Sequence, residues 1–179
     1  MSRVGNRIIT IPAGVEVLVQ GCQVTVKGKL GSLNREFSPL IAININEGKL
    51  NTIRANESKT TKQLHGTTNA LLANMIKGVN EGFVKELVIK GVGYKATLKG
   101  NVLEIAAGYS HLVNLNIPAS LTVEVPKQTE ITIKGINKEE VGQFAALVHD
   151  VRKPSPYSGK GIAYKDEVIR RKEGKTAAK

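Results

Sequence analysis

Two widely separated stretches of the chain read alike, and this repeat constrains the fold more than any other feature. Ile11-Pro12-Ala13-Gly14-Val15-Glu16-Val17-Leu18-Val19 is matched by Ile117-Pro118-Ala119-Ser120-Leu121-Thr122-Val123-Glu124-Val125. After a one-residue slip, Val24-Thr25-Val26-Lys27-Gly28 is matched by Ile131-Thr132-Ile133-Lys134-Gly135. Apolar residues recur at every second position, the period of a half-buried strand, so each half is expected to carry two strands joined by a turn. A 179-residue chain with such a repeat is expected to hold two small similar domains.

A helical pattern follows in each half. Leu64, Leu71, Leu72, Met75, Ile76 and Val79 share one face at helical spacing, with Ser58 or Thr60 as cap and Gly78 or Gly82 as stop. Gly66, Ala70, Leu71 and Leu72 there match Gly142, Ala146, Leu147 and Val148 in the second helix. In that helix Val141, Phe144, Ala145 and Val148 form the apolar stripe. Asn137 with Glu140 resembles a capping box, and Pro154 sets a limit. Further alternating runs centre on Ile41–Ile45, Leu87–Ile89, Tyr94–Leu98, Leu103–Ile105 and Val113–Leu115, with hairpin turns at Glu47-Gly48 and Gly100-Asn101. The fold class is α+β: two duplicated domains, each a small, mostly antiparallel sheet with one packed helix, plus a basic C-terminal extension. The expected boundaries are 1–81, 82–164 and a tail at 165–179.

Charge then narrows the partner. The chain carries 26 Lys+Arg against 15 Asp+Glu, a net of +11. Residues 82–150 are neutral overall, whereas residues 151–179 hold nine basic and three acidic residues. Such an excess implies a polyanion, most commonly nucleic acid. One cysteine, Cys22, excludes an intramolecular disulfide framework and a Cys-rich zinc site. No apolar run approaches the roughly 20 residues that span a bilayer, and no targeting segment is read. Neither helix has the basic face of a membrane-surface binder.

Catalytic and nucleotide motifs fail on context. Gly91-x-Gly93-x-x-Ala96 has the spacing of a dinucleotide fingerprint, but a hairpin pattern follows where a helix is needed. Gly28-x-x-Gly31 follows a strand, so it reads as a turn and not a KH loop. Gly159-Lys160-Gly161 lacks the rest of a P-loop. His65, His111 and His149 show no ligand spacing, and no nucleophile constellation is present. The chain is expected to be no enzyme, with no cofactor and no small-molecule substrate.

The most distinctive stretch runs from Arg152-Lys153-Pro154-Ser155-Pro156-Tyr157 through Ser158-Gly159-Lys160-Gly161 to Ile162-Ala163-Tyr164-Lys165. The prolines keep it out of helix, the glycines allow close backbone approach, and Tyr157 and Tyr164 offer ring faces. Arg170-Arg171-Lys172 and Lys175 follow as a phosphate-contacting run. With aromatics at only 4%, this suits recognition of RNA shape and backbone rather than base stacking. The tail has no core pattern, so its removal is expected to leave the fold intact.

The chain resembles the bacterial sixth large-subunit ribosomal protein family (uL6) over nearly its whole length. The resemblance rests on Met1-Ser2-Arg3-Val4-Gly5-Asn6, Ile11–Val15, Ala73-Asn74-Met75-Ile76-Lys77-Gly78-Val79, Gly91-Val92-Gly93-Tyr94-Lys95-Ala96, Gly108-Tyr109-Ser110-His111, Pro154–Ile162 and Arg170–Lys175. It implies a duplicated α+β protein with no catalytic activity or cofactor, acting as a cytoplasmic constituent of the large subunit. It implies binding to large-subunit (23S) rRNA, chiefly through the C-terminal domain, near the stalk base and the sarcin–ricin loop. Neighbouring ribosomal proteins and docking translational GTPase factors are the other implied partners. By position, the implied RNA-contacting residues are Lys153, Ser155, Tyr157, Gly159, Lys160, Gly161, Lys165, Arg170, Arg171, Lys172 and Lys175. The chain departs from the family at Ser158, where Lys is usual, at Ala163, where Arg is frequent, and after Gly28, where Pro is common. A free-standing RNA-binding regulator or chaperone is the alternative reading.

Overall fold

A computed structural model describes residues 3–46 and 48–175. The chain divides into two compact units. The first runs to Phe83 and also takes in Ile136–Lys138; the second comprises Val84–Gly135 and continues from Glu139.

In the first unit, alternating segments form β1 (Ile9–Thr10), β2 (Glu16–Gln20), β3 (Gln23–Gly28), β4 (Gly31–Glu36), β5 (Ile41–Asn46) and β6 (Lys49–Arg54), followed by α1 (Lys59–Asn80). Two three-stranded sheets result, in the orders β1-β6-β5 and β2-β3-β4. The expected Gly28-x-x-Gly31 turn is the β3–β4 hairpin, with Gly28 opposite Gly31. Of the expected Glu47-Gly48 turn, Glu47 lies outside the described residues, as do Met1-Ser2 and residues 176–179. Val24, Val26, Leu50, Leu72 and Val79 are fully buried in the core.

α1 is capped by Ser58, whose hydroxyl accepts the Thr61 amide. Its buried face differs from the expected apolar stripe. Leu64 and Leu71 are only half-buried, while Thr61, His65, Thr68 and Asn69 are buried beside Leu72, Met75, Ile76 and Val79. The reason is a polar docking of the N-terminal segment. Asn69 Nδ2 donates to the Gly5 carbonyl (3.1 Å), the Arg7 carbonyl (2.8 Å) and Thr52 Oγ1 (3.2 Å). His65 Nε2 donates to the Thr52 carbonyl at 2.9 Å, since a carbonyl can only accept. These bonds satisfy backbone groups that burial would otherwise leave unpaired.

The second unit holds, apart from the end residues Phe83 and Lys138, β7 (Phe83–Lys90), β8 (Lys95–Lys99), β9 (Val102–Ala106), β10 (Val113–Asn116), β11 (Leu121–Lys127), β12 (Glu130–Gly135), α2 (Lys138–Val151) and β13 (Gly161–Tyr164). Its sheets run β10-β9-β8 and β11-β12-β7-β13. The repeat is visible as corresponding hairpins. Val17 faces Val26 across β2–β3, and Val123 faces Ile133 across β11–β12. Val24 and Val26, and their repeat partners Ile131 and Ile133, are all fully buried. The closing glycines also correspond: a Cβ at Gly28 would meet Val79 of α1, and one at Gly135 would meet Val141 of α2. α2 buries Val141, Phe144, Ala145 and Val148, the stripe its spacing predicts. Gly100-Asn101 makes a two-residue hairpin between β8 and β9, with Gly100 at φ +58°.

β13 differs from the sequence expectation. Gly161–Tyr164 is not an extended segment free for a partner but a strand of the sheet, paired antiparallel with Lys90–Leu87 of β7. Ile162 and Ala163 are buried at 0% and 2% exposure. Hydrophobic burial of Ile162 against the sheet outweighs the loop character that the surrounding Pro and Gly residues suggest.

Candidate nucleic-acid interface

α2 ends at Val151, and the chain then forms a tight loop before β13. Within it the Ser155 amide donates to the Lys160 carbonyl (2.9 Å) and the Gly159 amide to the Ser155 carbonyl (2.7 Å). The Ser155 hydroxyl accepts the Tyr157 and Ser158 amides. Ser155 is thus the knot of the loop, bonded through both its backbone and its hydroxyl.

The two glycines are buried. Gly161 has φ +141°, and a Cβ there would lie 2.6 Å from Pro154 Cα and 2.7 Å from the Lys153 carbonyl oxygen. Gly159 has φ +70°, and its missing side chain is replaced by the Arg171 guanidinium. Both glycines therefore allow close approach within the chain.

The tail returns to this loop. Arg171 donates to the Tyr157 carbonyl at 3.2 Å, and the Lys172 amide donates to the Pro156 carbonyl at 3.1 Å. Residues 170–175 are nevertheless exposed, so their side chains face solvent around the loop. Tyr157 is 61% exposed. Among the described residues, Lys160, Arg170, Arg171, Lys172 and Lys175 have no acidic partner. Lys153 lies 3.4 Å from Asp150, and Lys165 is paired with Glu86. The hydrogen bond to Glu86 raises the Lys165 pKa, keeping it cationic. Of the positions that depart from the family, Ser158 is exposed on the loop and Ala163 is buried in β13.

Tyr164 does not offer its ring as expected. It stacks on His149 (centroids 5.2 Å apart, planes 13° apart), with Lys85 over the ring at 5.7 Å. Burial, with Glu167 and Asp150 nearby, pushes its phenol pKa up.

Beside the loop lies a cluster that spacing alone does not reveal. The Arg152 guanidinium lies 5.1 Å from the Tyr109 ring centroid, and Tyr109 stacks with His111 at 5.9 Å. The Tyr109 hydroxyl donates to the Val151 carbonyl at 2.9 Å, fixing the ring to the end of α2. Sequence reading places Tyr109 and His111 only within a motif; the available signal is two rings in a Gly-started loop free of acidic residues.

Among the described residues, no helix is long and apolar enough to cross a membrane.

The family described as "Ribosomal protein L6" matches the chain in two segments, residues 11–82 and 90–165. Among curated proteins, the chain is 63% identical over 179 residues to "Large ribosomal subunit protein uL6" of Metamycoplasma arthritidis, covering all of both chains. It is 65% identical to the protein of that name from Mycoplasmopsis pulmonis, again with complete coverage. The Enterococcus faecalis protein of that name is 52% identical, over 98% of this chain and 99% of its own.

Proposed function

Because this chain belongs to the ribosomal protein L6 family, we propose that it anchors large-subunit (23S) rRNA mainly through its second unit, near the stalk base and the sarcin–ricin loop. The chain is a structural, non-enzymatic component of the large ribosomal subunit. The finer reading rests on one observation. A loop knotted by its own backbone bonds, and the tail bonded to it, present Lys160 of the loop and Arg170, Arg171 and Lys172 of the tail, which have no acidic partner among the described residues.

Ordering a strap before it meets RNA lowers the entropic cost of binding, and unpaired cations exchange counterions for phosphates. Lys153, Tyr157, Lys160, Lys165, Arg170, Arg171, Lys172 and Lys175 are the contacts. Ser155, Gly159 and Gly161 give the loop the shape that presents them. Neighbouring ribosomal proteins, and translational GTPases docking close by, complete the surroundings. Sucrose-gradient fractionation of lysate tests this reading. The chain is expected to travel with the large subunit through moderate salt, and recovery at the top of the gradient would favour a free-standing RNA-binding regulator.

A further inference from the structure

We propose that the Arg152–Tyr109–His111 cluster is a second RNA subsite, one that stacks an unpaired nucleotide of the large-subunit rRNA. The inference rests on the rRNA-binding reading above and deepens it, since it concerns a different surface and a different chemistry from the cationic strap.

Three observations carry it. First, the cluster is preorganised. Tyr109 is held by its hydroxyl to the Val151 carbonyl, and its ring meets both the His111 ring and the Arg152 guanidinium. The loop beneath it is equally fixed. A Cβ at Gly91 or at Gly108 would come within 2.8 Å of the Tyr94 ring, so Tyr94 folds back on its own loop and packs tightly against the loop of Gly108. Hydrogen bonding with Tyr109 raises the Arg152 pKa above its ordinary value.

Second, the cluster is open. Tyr109 is 44% exposed, and His111 and Arg152 are exposed as well. Val92, in the neighbouring loop, is 93% exposed. Exposed rings held by one another and by a guanidinium do little for the core, yet they present what a base needs: an aromatic surface and a cation beside it.

Third, the charge pattern favours RNA over a protein partner. Residues 91–95 and 107–112 contain no Asp or Glu. Arg152-Lys153 leads directly into the strap, and the Ile162 amide donates to the Arg152 carbonyl at 2.8 Å, so cluster and strap share one anchored chain end. A backbone bound along the strap would bring an adjacent unpaired base within reach of the rings.

The test uses the full-length chain and in-vitro transcribed large-subunit rRNA, with binding measured across a salt series and the RNA probed by dimethyl sulfate. His111→Ala and Arg152→Gln alter exposed side chains, so melting temperature is expected to hold. His111→Ala is expected to weaken binding at least fivefold at every salt concentration, with the salt slope unchanged. Arg152→Gln is expected to weaken it similarly and to reduce the slope by about one phosphate contact. A base protected by the wild type is expected to regain reactivity with His111→Ala. Wild-type affinity in both variants, or no base whose reactivity depends on His111, overturns the subsite while leaving the strap reading standing. Normal rRNA binding with failed subunit incorporation would also overturn it, in favour of a protein partner. A wild type that does not bind the rRNA overturns the underlying reading and the subsite together.

Discussion

Arg171 occupies the space that Gly159 leaves open, and its guanidinium donates to the Tyr157 carbonyl at 3.2 Å. The tail and the loop are therefore one object. A residue read from sequence as a phosphate contact also braces the loop that presents the other contacts. The remaining donors of its planar fork are still available to an anion.

Gly161→Ala tests the inner side of that object. The new methyl would meet backbone atoms of Lys153 and Pro154, which cannot move aside as a flexible side chain could, at a φ of +141° that other residues rarely adopt. The expected loss is about 2–4 kcal/mol, read as a clear drop in melting temperature. Gly159→Ala should cost less, since the Arg171 side chain can swing away.

Asn69→Ala addresses the first unit. It removes the donor to the Gly5 and Arg7 carbonyls and to Thr52. A loss of about 2–3 kcal/mol is expected, with faster amide hydrogen exchange in residues 5–10. Gly5→Ala should release the same segment, because its methyl would stand 2.5 Å from Nδ1 of the buried His65. Unchanged exchange in both variants would contradict the docking role of this network.

Ser158→Lys restores a cation at an exposed loop position. The substitution is expected to tighten rRNA binding and to steepen the salt dependence by roughly 0.7–0.9 in log–log slope, the signature of one further phosphate. The equivalent change at Ala163 would bring a charge to a buried position of β13, so it should lower the melting temperature.

Glu57 supplies a pH dependence. Hydrogen bonds from Arg54 and then Lys62 hold its carboxyl below the ordinary 4.5. Its folded pKa is depressed, so its stabilisation is present above that ordinary value and is lost as pH falls through the folded value. Melting temperature of the wild type should therefore fall more steeply below about pH 4.5 than that of Glu57→Gln. Parallel curves would show that the ion pairs contribute nothing.

Much of this was legible because it is local. Alternation over five residues specifies a strand and its face, so the β2–β3 and β11–β12 hairpins, the Gly100-Asn101 turn and the buried stripe of α2 follow from spacing. The rest depends on contacts distant in sequence. α1 buries His65 and Asn69 because backbone carbonyls of residues 5, 7 and 52 await donors, which periodicity of apolar residues does not register. β4 offers only Leu33 as an apolar marker. β13 is punctuated by glycine and adopts its place only because β7 presents an edge. The candidate contacts were legible as charges: sequence shows the cations, but not that two buried glycines and the bonds of Ser155 shape the loop.

The measurement closest to the central claim is the salt dependence of rRNA binding by the full-length chain. It should be compared with a variant carrying Ala at Lys160, Arg170, Arg171 and Lys172. Each lost phosphate contact removes about 0.7–0.9 from the slope, so the variant should bind more weakly and with a slope shallower by about 3. Parallel lines for the two proteins would contradict the claim that this strap holds the RNA.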